Sequence, residues 1–379
     1  MKILIDARLY GPENTGNGRY TMNLVEELAK LDKSNHYIIF LRKKYFDSLG
    51  LPENWIKVLT DFKHYGFTEQ FRLPFLIRKY KPDLVHFPHL NVPILYFGKY
   101  IVTIHDIIMH KFKGGAATTR PFPIHQIWRM GYHLSFLKAV YGSEKIIVPS
   151  NAVKSELMIY YKLKGRKINV VHEGFDAKIA KGEVPKFTEP YFLYVGNAYP
   201  HKNLENLVKA MVLLNNESAQ RANLLISSSR NVFTQRLKDI IFKLNGGKFV
   251  KLLGFVPDNE LGSLYRNSIG FTFASLSEGF GLTGLEAINS GTLLLASNIP
   301  VFKEVFEKNA IYFDPLSVYS ITEAMQEAWR MGQRERTDWI SNAQEFAKRY
   351  SWAKMAKETL DIYEKAFKKE GGNSLRQGK

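Results

Sequence analysis

The sequence of 379 residues contains no cysteine. That excludes disulfides, thiolate catalysis and cysteine-ligated zinc, and it agrees with a reducing cytoplasm. No run approaches the roughly 18 uncharged apolar residues that a bilayer-spanning helix needs. The start, MKILIDARLY, carries Asp6 and Arg8 inside a short apolar stretch. It lacks the longer apolar core and small-residue cleavage site of a signal peptide. Short repeats and low-complexity tracts are also missing, and only the last nine residues, GGNSLRQGK, read as a tail. These absences leave a globular protein, expected to be soluble or peripheral and cytoplasmic.

Positive charge is abundant: the formal net charge is +17. Residues 1–180 hold 27 Lys/Arg against 15 Asp/Glu, or +12, so the excess is concentrated in the N-terminal half. Such a half suits anionic lipid headgroups, nucleic acid or an anionic acceptor; a merely soluble basic surface has the same composition. The length suits two domains.

Short β-branched runs alternate with stretches of helical period almost from end to end. Strands are expected at Lys2–Ile5, Tyr37–Leu41, Leu84–Phe87, Tyr100–Ile104, Lys145–Val148 and Ile168–Val171. A second series follows at Tyr191–Val195, Asn223–Ser227, Phe249–Leu252, Ile269–Phe273, Thr292–Ala296 and Ile311–Phe313. Helices fall between them, as at Tyr20–Leu31, where Leu24, Val25, Leu28 and Leu31 share one face. This alternation predicts an α/β chain with two doubly wound, Rossmann-like domains. The expected boundaries are an N-terminal domain over 1–175, a linker over 176–190 and a second domain over 191–350. A last helix over 351–370 and a tail over 371–379 complete the chain. In open parallel sheets ligands bind beyond the carboxyl ends of the strands, so the residues just after each strand carry most of the functional information.

Four such places stand out. Ser277-Glu278-Gly279-Phe280-Gly281-Leu282-Thr283-Gly284-Leu285-Glu286 follows a strand and enters a helix. Its glycines allow backbone amides close to a ligand, and the helix start favours an anion such as a diphosphate. One of its carboxylates can accept hydrogen bonds from sugar hydroxyls while the other takes a ribose. Val195-Gly196-Asn197-Ala198-Tyr199-Pro200-His201-Lys202-Asn203 puts an ammonium within reach of phosphate oxygens; a solvated lysine near a helix start is the bland alternative. Gly16-Asn17-Gly18-Arg19-Tyr20 opens the first helix at a usual phosphate-facing corner, although a plain helix entry accounts for it too. His105-Asp106 ends a strand, where the imidazole is either a hydrogen-bonding or proton-handling group or a satisfied core histidine. His86 and His89 have no accompanying carboxylate pattern, and no D-x-D stands near a strand end, so no metal is expected.

Taken in order, GNGRY, His105-Asp106, VPSNAVKSEL, VGNAYPHKN, LGFVPDNEL, SEGFGLTGLEA and FDP resemble the retaining glycosyltransferase family 4, over nearly the whole chain. The glutamates at 278 and 286 have the family's E-x7-E spacing. The resemblance implies a GT-B architecture, with two Rossmann-like domains facing a cleft, and transfer of a hexose from a nucleotide diphosphate-sugar without a metal. It assigns Glu286 to the ribose, Glu278 to hydroxyls of the transferred sugar, and Lys202 to the diphosphate beside the amides of Gly281 and Leu282. Gly16, Gly18 and Arg19 would close over the phosphates, His105 would contact the sugar near its reacting carbon, and Phe255 and Val256 would frame the base. Gly196, Asn197, His201, Gly279, Phe280 and Thr283 would line the donor. The last helix would cross back to the N-terminal domain. Two departures are visible: Asn197 and His201 stand where members often carry an arginine, so one diphosphate cation is missing or comes from elsewhere, with Arg19 a candidate.

The motif combination looks most like mannosyl-transferring members, making GDP-mannose the first donor and UDP-hexoses the next. No other cofactor is expected. Basic stretches around Lys111–Lys113, Arg129–Lys145 and Lys154–Lys167 suit a glycan or lipid-linked acceptor at the inner face of an anionic membrane. Competing readings are a GT-B sugar-nucleotide epimerase, a phosphorylase (for which no pyridoxal-phosphate lysine context is seen), and a basic membrane or nucleic-acid binding protein without transferase activity. Aromatics do not interleave with the basic residues as in a nucleic-acid recognition module, and nucleic acid is not an expected partner.

Overall fold

The computed structural model describes residues 1–62, 64, 66–112, 122–179, 187–217, 221–229 and 232–368. The expected tail, Lys113 and residues 180–186 of the expected linker lie outside them. The chain divides into two compact units. Among the described residues the first holds 1–107, 122–174 and 351–368, and the second holds 108–112 and 175–350.

Unit one is built from β1 (Lys2–Asp6), α1 (Thr15–Leu31), β2 (His36–Leu41), α2 (Lys43–Phe46), β3 (Trp55–Leu59), α3 (Phe67–Tyr80), β4 (Leu84–Phe87) and β5 (Tyr100–Thr103). After the short α4 (Ile108–Lys111), which belongs to unit two, come α5 (Phe122–Gly142), β6 (Lys145–Val148), α6 (Asn151–Tyr161) and β7 (Ile168–Val170). The strands form one parallel sheet in the order β3-β2-β1-β4-β5-β6-β7. Leu4, Ile38, Val85, Val102 and Ile146 fill its core at 2% exposure or less. Parallel strands covered on both faces read as continuous apolar runs, which is why most were legible. β3 was not expected. It is a five-residue edge strand whose apolar run is interrupted by Lys57 at its centre. Stacking of Trp55 on Tyr37, ring centroids 4.1 Å apart, fixes it instead.

Unit two repeats the plan with β8 (Tyr191–Val195), α7 (Leu204–Glu217), β9 (Asn223–Ser227), α8 (Val232–Lys243), β10 (Val250–Gly254), α9 (Asp258–Arg266) and β11 (Gly270–Phe273). It continues through α10 (Leu282–Ser290), β12 (Leu294–Ser297), α11 (Pro300–Phe306), β13 (Ile311–Phe313), α12 (Val318–Arg330) and α13 (Gln333–Ala347). Its parallel order is β10-β9-β8-β11-β12-β13. Both sheets therefore reverse winding direction beside their first strand, between β1 and β4 and between β8 and β11. Crevices open at such points in doubly wound sheets.

The last helix, α14 (Trp352–Lys368), belongs to unit one and packs on α1. Its return is tight: a Cβ at Gly174 would stand 2.2 Å from the Trp352 amide nitrogen, so only glycine fits there. A buried polar chain fastens it. His86 Nδ1 lies 2.7 Å from the Tyr363 hydroxyl, and His86 Nε2 lies 2.9 Å from Thr103 Oγ1. Burial, with His105 nearby, pushes His86 down to about 3, so its ring is neutral and both nitrogens need a partner. Tyr363→Phe is expected to destabilise the chain by about 1–3 kcal/mol by orphaning one of them. Urea denaturation measures this; an unchanged midpoint would show that the bond contributes nothing.

Candidate active site

Both strongest sequence motifs lie at the switch point of the second sheet, since β8 and β11 are neighbours there. After β8 the chain leaves the strand at Gly196, whose φ of 147° suits glycine. A 3-10 turn at Pro200–Lys202 follows, and Asn203 takes a left-handed conformation before α7, with its amide donating to the Pro315 carbonyl at 2.7 Å. After β11 the loop runs to Gly281, at φ 113°, and into α10. The Leu276 amide donates to the His201 carbonyl at 2.8 Å, so the two loops are tied by backbone.

Lys202 and Glu278 meet across this tie. Lys202 Nζ donates to Glu278 Oε1 at 2.5 Å, with the side chains 18% and 11% exposed. Ser275 Oγ donates to the same oxygen at 2.6 Å, and the ammonium lies 5.7 Å from the centre of the Phe273 ring. A charge pair this shielded from water interacts more strongly than a surface pair. Beside it, the amides of Leu282 and Thr283 open α10 and have no carbonyl partner within the helix, which is the standard anion-binding property of a helix start. Gly281 and Gly284 hold that start against α11: a Cβ would stand 2.9 Å and 2.5 Å, respectively, from Phe306 Cζ.

Several expectations need adjustment. Phe280 is 4% exposed and packs edge-on to Tyr350, so its ring anchors the loop and only its backbone remains for a ligand. Glu286 stands on the buried side of α10 at 3% exposure. Burial, reinforced by the Lys202 charge, pushes His201 down to about 4, so it is neutral at pH 7 and does not replace an arginine's charge. Asn197 is structural on both sides: its carbonyl accepts from the Tyr194 hydroxyl at 2.9 Å and its Oδ1 from Ser229 Oγ at 2.8 Å. Phe255, just after β10, is 75% exposed and presents a full aromatic face, with Val256 half-buried beside it.

One cation was missed. Lys111, at the end of α4, donates from Nζ to Ser277 Oγ at 3.1 Å, one residue from Glu278. In the sequence it was only one of several lysines in a basic stretch, because nothing local ties position 111 to position 277.

In unit one, Gly16 is exposed with open space around it, whereas Gly18 is buried, 1.9 Å separating its would-be Cβ from the Gly11 carbonyl oxygen. Packing thus accounts for Gly18, and Gly16 is the open position. Arg19 is half-buried in the first turn of α1. His105 is fully engaged: Nδ1 lies 2.8 Å from Glu173 Oε1, Nε2 lies 3.0 Å from the Pro88 carbonyl, and Tyr20 packs edge-on at 4.7 Å. Burial alone would lower its pKa, but Glu173 and the carbonyl outweigh that and raise it above the ordinary histidine value. Both ring nitrogens lie within hydrogen-bond distance of an oxygen, and Glu173 favours the charged form. Glu173 carried no recognisable signal in the sequence.

Among the described residues one carboxylate–histidine group could approach a cation: Asp6, His64 and Glu69. Arg8 already fills it, donating to Asp6 at 2.7 Å and Glu69 at 2.5 Å. His86 and His89, both held near 3 by burial, lie in unit one without a shared ligand geometry.

Two parallel sheets of this order in one chain, the second with a cation and an amide turn at its switch point, are those of a GT-B glycosyltransferase. A family model described as "Glycosyl transferases group 1" matches residues 176–346, and one described as "Glycosyltransferase Family 4" matches residues 15–178. The chain belongs to this glycosyltransferase family. It is 26% identical over 368 residues to the O-antigen chain mannosyltransferase RfbU of Salmonella typhimurium, covering 93% of this chain and 97% of that one. With the O-antigen chain mannosyltransferase B of Escherichia coli it shares 25% over 398 residues, covering 96% and 99%. The crystal structure of Anabaena Alr3699/HepE in complex with UDP matches with a TM-score of 0.72 at 15% identity, covering 96% of this chain and 100% of that one. Among the described residues no helix is long and apolar enough to cross a membrane.

The His105–Glu173 pair sets a pH dependence. A raised histidine pKa gives stability that is complete below the unfolded value of about 6.5 and is lost as pH rises through the folded value. Glu173→Gln should therefore destabilise the chain by about 1–3 kcal/mol at pH 6, with the difference from wild type shrinking toward alkaline pH. Thermal denaturation across pH checks this; a difference constant with pH would refute the charged pair.

Proposed function

We propose that this glycosyltransferase moves a hexose, mannose in the first instance, from a nucleotide diphosphate donor to an acceptor hydroxyl, with retention and without a metal. The observation that carries the reading is the Lys202–Glu278 pair beside the start of α10. A donor diphosphate fits there by taking Lys202 from Glu278 and by accepting hydrogen bonds from the amides of Leu282 and Thr283. Glu278 is then released to accept hydroxyls of the transferred sugar. Because His201 is neutral, the second charge comes from Lys111, whose ammonium is already at Ser277. The exposed face of Phe255 suits a base.

Glu278, once released, is read as holding hydroxyls of the transferred sugar and not as bonding to the anomeric carbon. The reading is therefore a front-face displacement. The bond from the anomeric carbon to the phosphate oxygen breaks, and the acceptor oxygen bonds to that carbon on the same face. The acceptor's proton passes to the departing phosphate oxygen, and the nucleoside diphosphate leaves. Lys202, Lys111 and the amides stabilise charge as it builds on that phosphate. His105, contacting the sugar near its reacting carbon in the family's assignment, has its charged form favoured by Glu173. Ribose recognition by Glu286 requires its carboxylate to be uncovered when donor binds.

The mannose preference is supported by the two mannosyltransferase relatives, and UDP-hexoses follow because UDP is bound in Alr3699/HepE. The acceptor is read as a glycan, lipid-linked, with the enzyme cytoplasmic and peripheral at the inner face of an anionic membrane through its basic N-terminal half.

A thermal-shift panel of GDP, UDP, ADP and their sugars should raise the melting temperature for GDP and GDP-mannose above all, unaltered by chelator. No shift with any nucleotide would sink the donor reading. Glu278→Gln should lower kcat about a hundredfold, and Lys111→Gln should raise donor KM about tenfold with acceptor KM unchanged and Lys111→Arg rescuing. Near-normal turnover of the first variant removes the role of Glu278; an unaltered donor KM in the second returns Lys111 to a structural role.

A further inference from the structure

α5 is apolar on two opposite faces. Tyr132, Phe136, Ala139 and Val140 are buried in the core of unit one, at 7% exposure or less. On the other side stand Met130, Leu134, Leu137 and Tyr141, exposed by 62%, 47%, 40% and 57%. At 100° per residue these four fall within roughly 60° of arc, a continuous outward stripe where a surface helix is normally polar. Phe97, 73% exposed, extends it, with the Lys138 ammonium 4.2 Å from its ring centre. The end of α6 adds Ile159 and Tyr160, at 77% and 50%, and meets the stripe where the Tyr141 hydroxyl donates to the Tyr161 carbonyl at 3.1 Å.

The stripe runs into a basic recess. Tyr141 lines it together with Lys145, Lys162, Lys164, Arg166 and Lys167; Glu144 is the one acid among the lining residues, and the volume is about 560 Å³. Lys162, Lys164 and Arg166 are exposed, while Lys145 and Lys167 are pinned by bonds to the carbonyls of Arg166 and Tyr141 at 3.0 and 2.9 Å. Exposed apolar side chains bordered by a concentrated positive charge are the two complements of a bilayer surface: acyl chains below, anionic headgroups above. A second copy of the chain would be a poor occupant. A two-fold interface would set the recess against its own like charge.

We infer that the outward face of α5, with the end of α6 and the adjoining basic recess, docks onto an anionic bilayer. The apolar stripe enters the headgroup boundary and the recess holds a phosphate-bearing headgroup. This gives the membrane contact proposed above a defined surface, and rests on that reading. It needs no donor and no turnover.

Vesicle flotation of the full chain tests it. Wild type should float with vesicles of phosphatidylcholine mixed with phosphatidylglycerol, not with phosphatidylcholine alone, and less as salt rises. Leu134→Ser with Leu137→Ser, and separately Lys162→Glu with Lys164→Glu, should each lower the bound fraction about tenfold. All four positions are exposed, so circular dichroism and the melting temperature should match wild type. Wild type that stays at the bottom of the gradient with mixed vesicles overturns the membrane contact altogether. Variants that float like wild type overturn this face while leaving the contact standing. Sedimentation showing a wild-type dimer that the leucine variant converts to a monomer would assign the stripe to a second copy, and also overturn it.

Discussion

One charge pair governs how this molecule is understood. Lys202 and Glu278 come from loops 76 positions apart in the chain and meet because the second sheet reverses its winding between β8 and β11. The His201 carbonyl and the Leu276 amide fix the separation of the two loops, and Ser275 fixes the carboxylate. With little water around it, the pair keeps an ammonium in place before any anion arrives. In the proposed donor complex a diphosphate competes with a carboxylate for a cation already positioned, and the displaced carboxylate is left facing what the diphosphate carries.

The first unit is organised around a different kind of polar group. His86, Thr103, Tyr20 and His105 form a buried series beneath the carboxyl ends of β4 and β5, closed by Tyr363 from the last helix and by Glu173. Every heteroatom in it has a partner, so its effect is to fix positions. It attaches α14 to the sheet through hydrogen bonds as well as apolar area, in a place where a mismatched side chain would strand a donor or acceptor.

Much of the architecture was legible because parallel strands, buried on both faces, print themselves as uninterrupted apolar runs, as at Tyr191–Val195 and Asn223–Ser227. β3 escaped because Lys57 interrupts its short apolar run. The loop positions of the glycines and of Lys202 and Glu278 were legible too, since a strand-to-helix corner is a local property. Orientation was not. Sequence offered no means of telling that the Phe280 ring turns inward to Tyr350, that Gly18 serves Gly11, or that both nitrogens of His105 are taken. Long-range partners such as Lys111 with Ser277, or Glu173 with His105, are contacts only the fold creates.

The place of Phe306 has an evolutionary corollary. Its ring occupies the volume that a methyl group at 281 or 284 would claim, so the close seating of α10 is set by aromatic bulk on the side away from the amide turn. A smaller residue at 306 would relax the demand for glycine at 284, whereas at 281 the φ of 113° keeps it. Homologues that have lost the aromatic should therefore tolerate alanine at 284, and those two sites should change together while 281 stays glycine.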